Sequence, residues 1–259
     1  MNAPPFTLRT LTLLSAALLG GCASLSPDGG FEAIQSATQS RIQQDVVWTH
    51  DDASRKQTQA RIDALLAQPL SADNAVQIAL LNNPALQATF YRLGIAEANW
   101  VQTQTLPNPR VTLGRLTRGD EVESDAALHV FLLQMLTMPM RAGIEQRLFE
   151  KTRTEITLEI LRLAAETRKA YFIAIAADET VRYMRQVMDA AEAGAELGRR
   201  MAQVGNWSKL KQAREQAFYA STVVTLARAE TASVQSHERL IRPLGLETES
   251  RMQLPERLP

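Results

Sequence analysis

The distribution of apolar and polar positions predicts a mainly α-helical chain built around one very long helix. Between Met140 and Val204 the sequence has no proline and little glycine. About 65 residues of continuous helix would be about 97 Å long at roughly 1.5 Å per residue. Gly205 interrupts the helical pattern, and Ser208 can cap a return helix that ends near Arg242. The pattern therefore predicts a very long helical hairpin.

Two apolar seams with heptad spacing follow the long helix. The first seam comprises Ile156, Ile160, Leu163, Thr167, Ala170, Ala174, Ala177, Val181, Met184, Met188, Ala191, Ala195, Gly198 and Ala202. The second seam comprises Ile173, Ala176, Thr180, Tyr183, Val187, Ala190, Gly194, Leu197, Met201 and Val204. A third track, from Asp178 to Gln203, is charged or polar. A two-stranded coiled coil needs one seam. Two seams favour neighbours on two sides, as in a closed ring of helices; a hairpin in a soluble bundle is the alternative.

Two shorter helices are predicted ahead of the long one. Ser71 is a candidate N-cap for a helix that runs to about Asn82, and Pro84 then breaks the pattern. A second helix is expected to continue to about Thr105. Together with the return helix over 208–242, these segments match the long helix in length. Stacked end to end, they would run beside it.

Two strands of about ten residues are predicted between these helices, over 110–118 and 127–137. The intervening segment 119–125 is expected to be a turn. The carboxylates of Glu121, Glu123 and Asp125 in this turn are candidates for an acidic channel mouth that favours cations, and a solvated loop is the alternative. Tilted strands of this length can cross a bilayer as part of a β-barrel. An ordinary hairpin is the alternative.

The first 22 residues have the pattern of an export signal. Arg9 precedes an apolar run over 11–19 that is too short to span a bilayer as a helix. The following Leu19-Gly20-Gly21-Cys22 resembles the bacterial lipobox, in which the cysteine becomes the first mature residue and carries lipid. We therefore expect residues 1–21 to be a signal peptide and Cys22 to be a lipid anchor. A plain signal peptide with a chance cysteine is the alternative.

The segments outside the helical and strand pattern are expected to be connectors. Residues 22–69 are predicted to be a lipid-anchored tether, flexible over 23–40 and with a short helix near its end. Ala23 stands where an inner-membrane retention signal would place aspartate, so resemblance to lipoprotein sorting rules favours the outer membrane. Residues 247–259 are expected to form an irregular, linker-like tail.

Composition and charge narrow the classes of function. The 28 Lys+Arg residues balance the 28 Asp+Glu residues, so the chain has no basic excess for binding nucleic acid. One cysteine and three histidines leave little for a metal centre built from these residues. No nucleophile–base motif or phosphate-binding loop appears, and we expect neither catalysis nor a cofactor. The thioethers of Met135, Met138 and Met140 are candidate ligands for a soft metal ion. Methionine is, however, more often a packing residue.

Several motifs between residues 70 and 246 occur together at a characteristic spacing. They are Ala79-Leu80 followed by Asn82-Asn83-Pro84, then Leu106-Pro107-Asn108-Pro109, Ala170-Tyr171, Val204-Gly205-Asn206-Trp207-Ser208, and the segment from Leu240 to Leu246. In these motifs the chain resembles the outer-membrane efflux channels, the TolC family of outer-membrane factors. Residues 70–246 would form a single repeat of that family.

The resemblance implies a passive channel subunit. Trimers of that family build a β-barrel in the outer membrane and continue it as a long α-helical barrel across the periplasm. An adaptor protein docks at the helical tips and links the channel to an inner-membrane pump. Carried over, Cys22 would bear the lipid, and the docking tip would be Val204, Gly205, Asn206, Trp207 and Ser208. Lys211 stands where many members have aspartate. The implied function is export of metal ions or small toxic molecules.

The resemblance also implies an incomplete set of strands. Members of the family carry two repeats, whereas this chain carries one, so a trimer would supply about half of the strands that the family's barrel uses. Six copies or a separate second half would complete the barrel; otherwise the chain is a fragment. Two other functions stay open. One is a truncated, non-conducting lipoprotein with a structural or interaction role, and the other is a periplasmic coiled-coil adaptor.

Overall fold

The computed structural model describes residues 25–119, 121–247 and 252–258. The predicted signal peptide and Cys22 lie outside the described residues. Within them the chain forms six helices and one antiparallel pair of strands. The helices are α1 (Glu32–Ile42), α2 (Asp52–Leu66), α3 (Ala72–Asn82), α4 (Pro84–Thr103), α5 (Leu132–Gln203) and α6 (Lys209–Leu244), and the strands are β1 (Arg110–Arg118) and β2 (Glu121–His129). The fold is mainly α-helical, as the sequence predicts.

The chain divides into two compact units. Of the described residues, the first unit comprises those up to Ile34 and those from Thr89 to Ile156, and the second comprises Gln35–Ala88 and those from Thr157 on. The β-hairpin of β1 and β2 lies in the first unit. The tip of the helical hairpin, where α5 turns into α6, lies in the second.

The boundaries of α3 and α4 follow from capping and from proline. The Ser71 side chain accepts the Asn74 N–H at 3.1 Å and caps α3, as predicted. Asn83 is extended, with ψ 115, because Pro84 disfavours the helical conformation in the residue before it. Pro84 then begins α4, since the first helical position needs no N–H donor.

The core of the second unit is formed by the apolar faces of α2, α3, α5 and α6. Ala75 and Ile78 of α3 are fully buried and cluster with Tyr171 of α5 and Leu240 of α6. The Tyr171 hydroxyl donates to the Leu70 carbonyl at 2.8 Å, and burial raises the pKa of this phenol. The long helix is therefore bonded directly to the segment that leads into α3.

The end of α6 is fastened to the end of α3 by two asparagines. The Asn82 amide donates to the carbonyls of Leu244 (2.9 Å) and Gly245 (2.8 Å), and the Asn83 amide donates to the Pro243 carbonyl (3.0 Å). Gly245 has φ +65, and a Cβ atom there would lie 2.5 Å from the Asn82 carbonyl oxygen. Glycine satisfies both the backbone conformation and the close approach. Motif residues far apart in sequence thus meet in this unit.

The flexible tether predicted over 23–40 is wrong from residue 32 on, where α1 begins, whereas the short helix expected near the end of the segment is present as α2. The extended segment between these helices is held by glutamine side chains. Gln77 accepts the Asp45 N–H (3.0 Å) and donates to its carbonyl (2.9 Å), and Gln87 accepts the Thr49 N–H (3.0 Å). The glutamine-rich composition of this segment is typical of linkers, but here its backbone forms hydrogen bonds with glutamine side chains of α3 and α4. That pairing depends on residues about 30 to 40 positions away in the sequence.

The predicted second strand, 127–137, is wrong in position. β2 runs from Glu121 to His129 and pairs with β1, and Gly119, directly after β1, has φ +63. A glycine with positive φ suits the tight turns that match strand twist. The acidic residues that the sequence analysis assigned to a turn therefore lie in β2. Glu123 pairs with Leu116 of β1, and Asp125 pairs with Gly114.

The long helix begins earlier than predicted. α5 starts at Leu132, so the apolar run assigned to a strand is helical and Pro139 lies inside α5. Short apolar runs do not distinguish a strand from a buried helix by periodicity. Leucine, glutamine and methionine on the N-terminal side of Pro139 are strong helix formers, and they extend the helix through the proline.

The tail after α6 is irregular over its described part, residues 252–258, as predicted. It is nevertheless bonded to the second unit. The Leu70 N–H donates to the Gln253 carbonyl at 2.7 Å, and the Leu258 N–H donates to the Glu179 carboxylate at 2.8 Å. Backbone bonds of this kind hold the tail against the body although it forms no regular element.

Candidate functional site

The first seam of α5 is buried. Its members with at most 7% exposure include Thr167, Ala174, Val181, Ala191 and Ala195. Near the tip this seam faces α6, because a Cβ atom on Gly198 would lie 3.1 Å from the ring of Trp207 and 3.5 Å from the side chain of Glu215. The small residues of the first seam therefore allow the two helices of the hairpin to approach closely.

The second seam of α5 is mostly exposed in this chain, with Ala176, Val187, Gly194 and Met201 half-buried. Ile173 is 42% exposed, Tyr183 64%, Leu197 55% and Val204 70%. Large apolar side chains repeated at heptad spacing are unusual on a water-facing helix surface, where single exposed residues are the norm. The described part of the chain thus leaves uncovered the seam that the sequence assigned to a second neighbour.

The return helix carries a further apolar seam that the sequence reasoning missed. We call it the outer seam; its members alternate at intervals of three and four, and all are exposed: Leu210, Ala213, Ala217, Ala220, Val224, Ala227, Thr231 and Val234. The spacing is again that of a heptad. The same count that revealed the seams of the long helix would have found it. The helical hairpin therefore has one exposed seam on each of its helices.

The predicted docking tip is a tight turn between α5 and α6. Gly205 has φ +78, the Asn206 N–H donates to the Met201 carbonyl (2.9 Å), and Ser208 caps α6. The structure places the predicted tip residues together, with Val204, Gly205, Asn206 and Ser208 exposed. Trp207 is half-buried because its ring packs against Gly198 of its own hairpin.

A cluster of polar groups joins the two helices of the hairpin further from the tip. The Ser233 hydroxyl donates to the Asp178 carboxylate at 2.6 Å, and the His237 ring lies 2.9 Å from the same carboxylate. Arg185 forms an ion pair with Glu230 at 3.0 Å. Serine, histidine and aspartate are the residue types of a hydrolytic triad, but here serine and histidine both approach the aspartate. The geometry is that of a brace between helices.

The β-hairpin has one apolar and one polar face. The register pairs Val111 with Leu128 and Leu113 with Ala126, which places these four side chains on one face. Arg115, paired with Ser124, interrupts this face. The opposite face carries Arg110, Thr112, Glu123, Asp125 and His129. Leu113 is 79% exposed and Leu128 is 66% exposed, so the described chain covers neither of these leucines.

An exposed apolar surface continues from the β-hairpin into the start of α5. Phe131, Leu132, Leu133 and Leu136 are between 48% and 78% exposed, and Met140 is 65% exposed. A water-facing monomer surface rarely carries so many large apolar side chains in sequence. This surface belongs to the same unit as the apolar face of the hairpin.

The methionines of this region do not form a three-thioether site. Met138 lines a cleft of about 570 Å³ together with Asn108 and Arg141. Met135 and Met138 share one face of α5, whereas Met140 lies roughly 140° around the helix from Met135. Among the described residues, no cluster of three or more His, Cys, Asp or Glu side chains is placed to hold a metal ion.

The strongest electrostatic perturbation lies on the polar track near the tip. Glu196 accepts hydrogen bonds from Arg199 at 2.7 Å and from Arg200 at 2.7 Å. These bonds lower the pKa of Glu196 from its ordinary 4.5 to about 2, and they raise the pKa of Arg199. The side chains of Glu196, Arg199 and Arg200 are 40%, 49% and 71% exposed, so the cluster organises the surface of the helix rather than its core.

This perturbation predicts a pH-dependent contribution from Glu196. Because the folded-state pKa is depressed, its stabilising effect is complete above about pH 4.5 and is lost as the pH falls toward 2. Urea unfolding of the wild type and of Glu196→Gln should therefore differ at pH 6 and converge near pH 2. Arg199→Gln should reduce the difference at pH 6, and a difference that stays constant with pH would contradict the assignment.

The chain is thus a mainly α-helical protein with a long helical hairpin and one small β-hairpin. Its fold is similar to that in a crystal structure of a membrane protein from Pseudomonas aeruginosa, with a TM-score of 0.58 and 17% sequence identity. The match covers 82% of this chain and 51% of that chain, so the chain spans about half the length of the structure it resembles. No family model matches the sequence, and no curated protein matches it.

At this level of identity the comparison shows the fold alone. The resemblance to efflux channels stays a prediction from the sequence motifs. No helix in the described ranges combines the length and the apolar character needed to cross a membrane.

Proposed function

We propose that this chain is a lipid-anchored subunit of an outer-membrane efflux channel of the TolC type, a passive conduit for metal ions or small toxic molecules. The observation that carries the proposal is the pair of exposed apolar seams, one on α5 and one on α6. A helical hairpin with an uncovered seam on each helix needs a neighbour for each seam. Repeated copies of such hairpins can satisfy both requirements by forming a closed ring.

The two seams suit contact between unlike surfaces of successive copies. The second seam carries large side chains such as Tyr183 and Leu197, whereas half of the outer seam is alanine, interspersed with Leu210, Val224, Thr231 and Val234. Large side chains on one helix pack well against small residues on the facing helix. Contact between unlike surfaces generates a ring when the rotation between copies closes. A hollow helical cylinder is the result expected here.

The β-hairpin supports a place in the membrane for the first unit. Nine-residue strands are long enough to cross the hydrocarbon region when tilted. In a transmembrane barrel, apolar residues face lipid and polar residues face the lumen. The face with Leu113 and Leu128 suits lipid, and the face with Glu123 and Asp125 suits an aqueous lumen. A two-stranded hairpin is marginal alone, so its edges would pair with strands of neighbouring copies.

The remaining partners of the proposal come from the sequence resemblance. The tip from Val204 to Ser208 is the proposed docking site for a periplasmic adaptor, which would link the channel to an inner-membrane pump. The exposed Val204 and Asn206 are the best-placed contact residues. Lys211, on the first turn of α6, places a positive charge where many channels of the family have the negative charge of an aspartate. Six copies, or a separate second half, would supply the strands of a full barrel.

Two variants of the hairpin test the membrane part of the proposal. Leu113→Arg places a charge on the apolar face of the β-hairpin. Thr112→Arg places the same charge one residue earlier, where the side chain is on the polar face. An arginine facing the lipid midplane costs about 2–4 kcal/mol. We expect wild-type protein, purified from outer membranes, to conduct in planar bilayers, Leu113→Arg to lose conductance, and Thr112→Arg to keep it with altered ion selectivity.

The same measurement separates the competing functions. An assembled, acylated wild type that never conducts would overturn the channel and favour the non-conducting lipoprotein with an interaction role. A chain that stays monomeric but binds both an inner-membrane pump and a separate channel would favour the adaptor. Equal conductance in both arginine variants would contradict the assignment of the two faces.

A further inference from the structure

A buried carboxylate on α4 marks a site that the assembly surfaces do not use. Glu97 is only 4% exposed, although charged side chains are rarely buried without partners. Its carboxylate accepts the backbone N–H of Ser26 at 2.9 Å and also the Ser26 hydroxyl. Hydrogen bonds to a charged acceptor are stronger than neutral ones. Glu97 therefore binds the chain a few residues beyond the predicted lipid anchor.

The segment that contains Ser26 is built to stay in place. The Asp28 carboxylate accepts the N–H groups of Glu32 (2.8 Å) and Gly30 (3.3 Å), so it caps the start of α1; these bonds lower the pKa of Asp28. Gly30 has φ +75, and a Cβ atom there would lie 2.7 Å from the ring of Phe149. The positive φ favours glycine, and a larger residue would also force the Phe149 ring to shift. The segment from Ser26 to Gly30 is a specific turn docked within the first unit.

An aromatic contact completes the attachment of this turn. Phe31 is 6% exposed, and its ring meets that of Phe90 on α4 edge to face, with centroids 4.8 Å apart. Edge-to-face aromatic pairs stabilise a contact beyond what burial alone contributes. Leu25, on the other side of Ser26, is 56% exposed. Ser26 is thus bonded to α4, whereas the apolar Leu25 just before it is exposed.

Chain length limits how far the anchor can lie from this attachment. Four residue steps separate Cys22 from Ser26, and at no more than 3.6 Å per step they span about 14 Å. We propose that Glu97 is the docking residue for the lipid-anchor segment and holds the lipid-bearing N-terminus within about 14 Å of α4. The partner is a phospholipid surface, which would then lie beside the C-terminal half of α4. This inference rests on the lipid anchor of the proposed function.

The docking would set the depth of the β-hairpin in the membrane. From Glu97, α4 continues for six residues to Thr103, a rise of about 9 Å, and β1 begins at Arg110. The acyl chains and the apolar face of the hairpin would therefore enter the same leaflet from the same end of α4. A free tether would leave the height of the membrane unspecified, whereas a docked one positions it.

The test uses the processed full-length chain and two variants. Each variant removes the hydrogen bonds between Ser26 and Glu97, one from the acceptor side and one from the donor side. Glu97→Ala removes the acceptor, and Ser26→Pro removes both donors while leaving α4 unchanged, which guards against misfolding of the first variant. Glu97→Gln is the matched control, because its amide oxygen can still accept from Ser26. All are made in a Trp48→Phe, Trp207→Phe background, so that Trp100 on α4 is the single fluorescent reporter.

Two readouts follow the attachment and the membrane separately. Hydrogen exchange of the amides of residues 28–32 should be about tenfold faster or more in Glu97→Ala and Ser26→Pro, because bonds to a charged acceptor contribute about 1.5–3 kcal/mol. Exchange in α3 should not change. In vesicles of phosphatidylethanolamine and phosphatidylglycerol with a nitroxide on the lipid headgroup, Trp100 should be quenched in the parent and in Glu97→Gln, and less in the other two variants.

Each outcome separates this inference from the proposed function. Unchanged exchange over residues 28–32 in Ser26→Pro would overturn the docking role of Glu97. Faster exchange with unchanged quenching of Trp100 would show that the docking does not position the membrane, and it would overturn the inference while leaving a lipidated channel intact. An intact mass without acyl chains on Cys22 would overturn the lipid anchor itself and the inference with it.

Discussion

Leu197→Glu is expected to prevent copies of this chain from assembling. Leu197 is 55% exposed on the second seam, and in the proposed ring it would be buried against the outer seam of the next copy. Burying an unpaired carboxylate in an apolar contact costs several kcal/mol. We expect the association constant, measured by analytical ultracentrifugation of the purified processed chain, to fall at least about a hundredfold, which corresponds to about 2.7 kcal/mol.

A matched control and a mixing experiment sharpen this prediction. Gln203→Glu adds the same charge on the polar track of α5 and should leave assembly unchanged. Val224→Glu on the outer seam should disrupt assembly as Leu197→Glu does. Mixing the two seam variants should yield dimers. Leu197→Glu keeps an intact outer seam, Val224→Glu keeps an intact second seam, and these two seams can pair with each other. Assembly that survives Leu197→Glu, or a mixture that stays monomeric, would contradict contact between unlike seams.

Gly245→Ala is expected to destabilise the second unit by about 2–4 kcal/mol, from left-handed backbone strain and a forced contact. Gly245 has φ +65, and an added Cβ atom would lie 2.5 Å from the Asn82 carbonyl oxygen. That clash would separate the end of α6 from the end of α3 and break the bonds of the Asn82 amide. Urea unfolding followed by circular dichroism measures the change.

Gly205→Ala is the matched control for this prediction. Gly205 also has positive φ, +78, but an added Cβ atom there would meet nothing within 4 Å. Its cost should be limited to the backbone term of about 1–2 kcal/mol. Equal losses of stability in the two variants would mean that the contact between Gly245 and Asn82 contributes little to the fold.

Features with strong local causes could be predicted from the sequence. Ser71 and Pro84 placed the ends of α3 and α4 because capping and proline geometry act within a few residues. The absence of proline between Met140 and Val204 predicted the long helix, and the heptad count located its two apolar seams. The turn from Val204 to Ser208 was also predicted, since glycine and a serine cap mark it locally.

Predictions failed where distant residues decide the conformation. The segment before Ser71 was expected to be a tether because its composition is that of a linker, yet Gln77 and Gln87 hold its backbone. β2 was placed too late because an apolar run after His129 suits a strand as well as a helix. Glu97 lies in a motif of the sequence resemblance, but its contact with Ser26 was not predicted, since nothing near it in sequence indicates that it binds Ser26.

The amino-acid sequence by itself determined the helical periods, the breaks between helices and the presence of two seams on the long helix. These follow from side-chain spacing and from residues that favour or forbid helical backbone. The tertiary structure alone decided which seam is covered, which face of the β-hairpin each residue occupies, and where the segment after the predicted anchor is bound. The reason is physical: exposure and strand register depend on which surfaces meet, and residues far apart along the chain supply those surfaces.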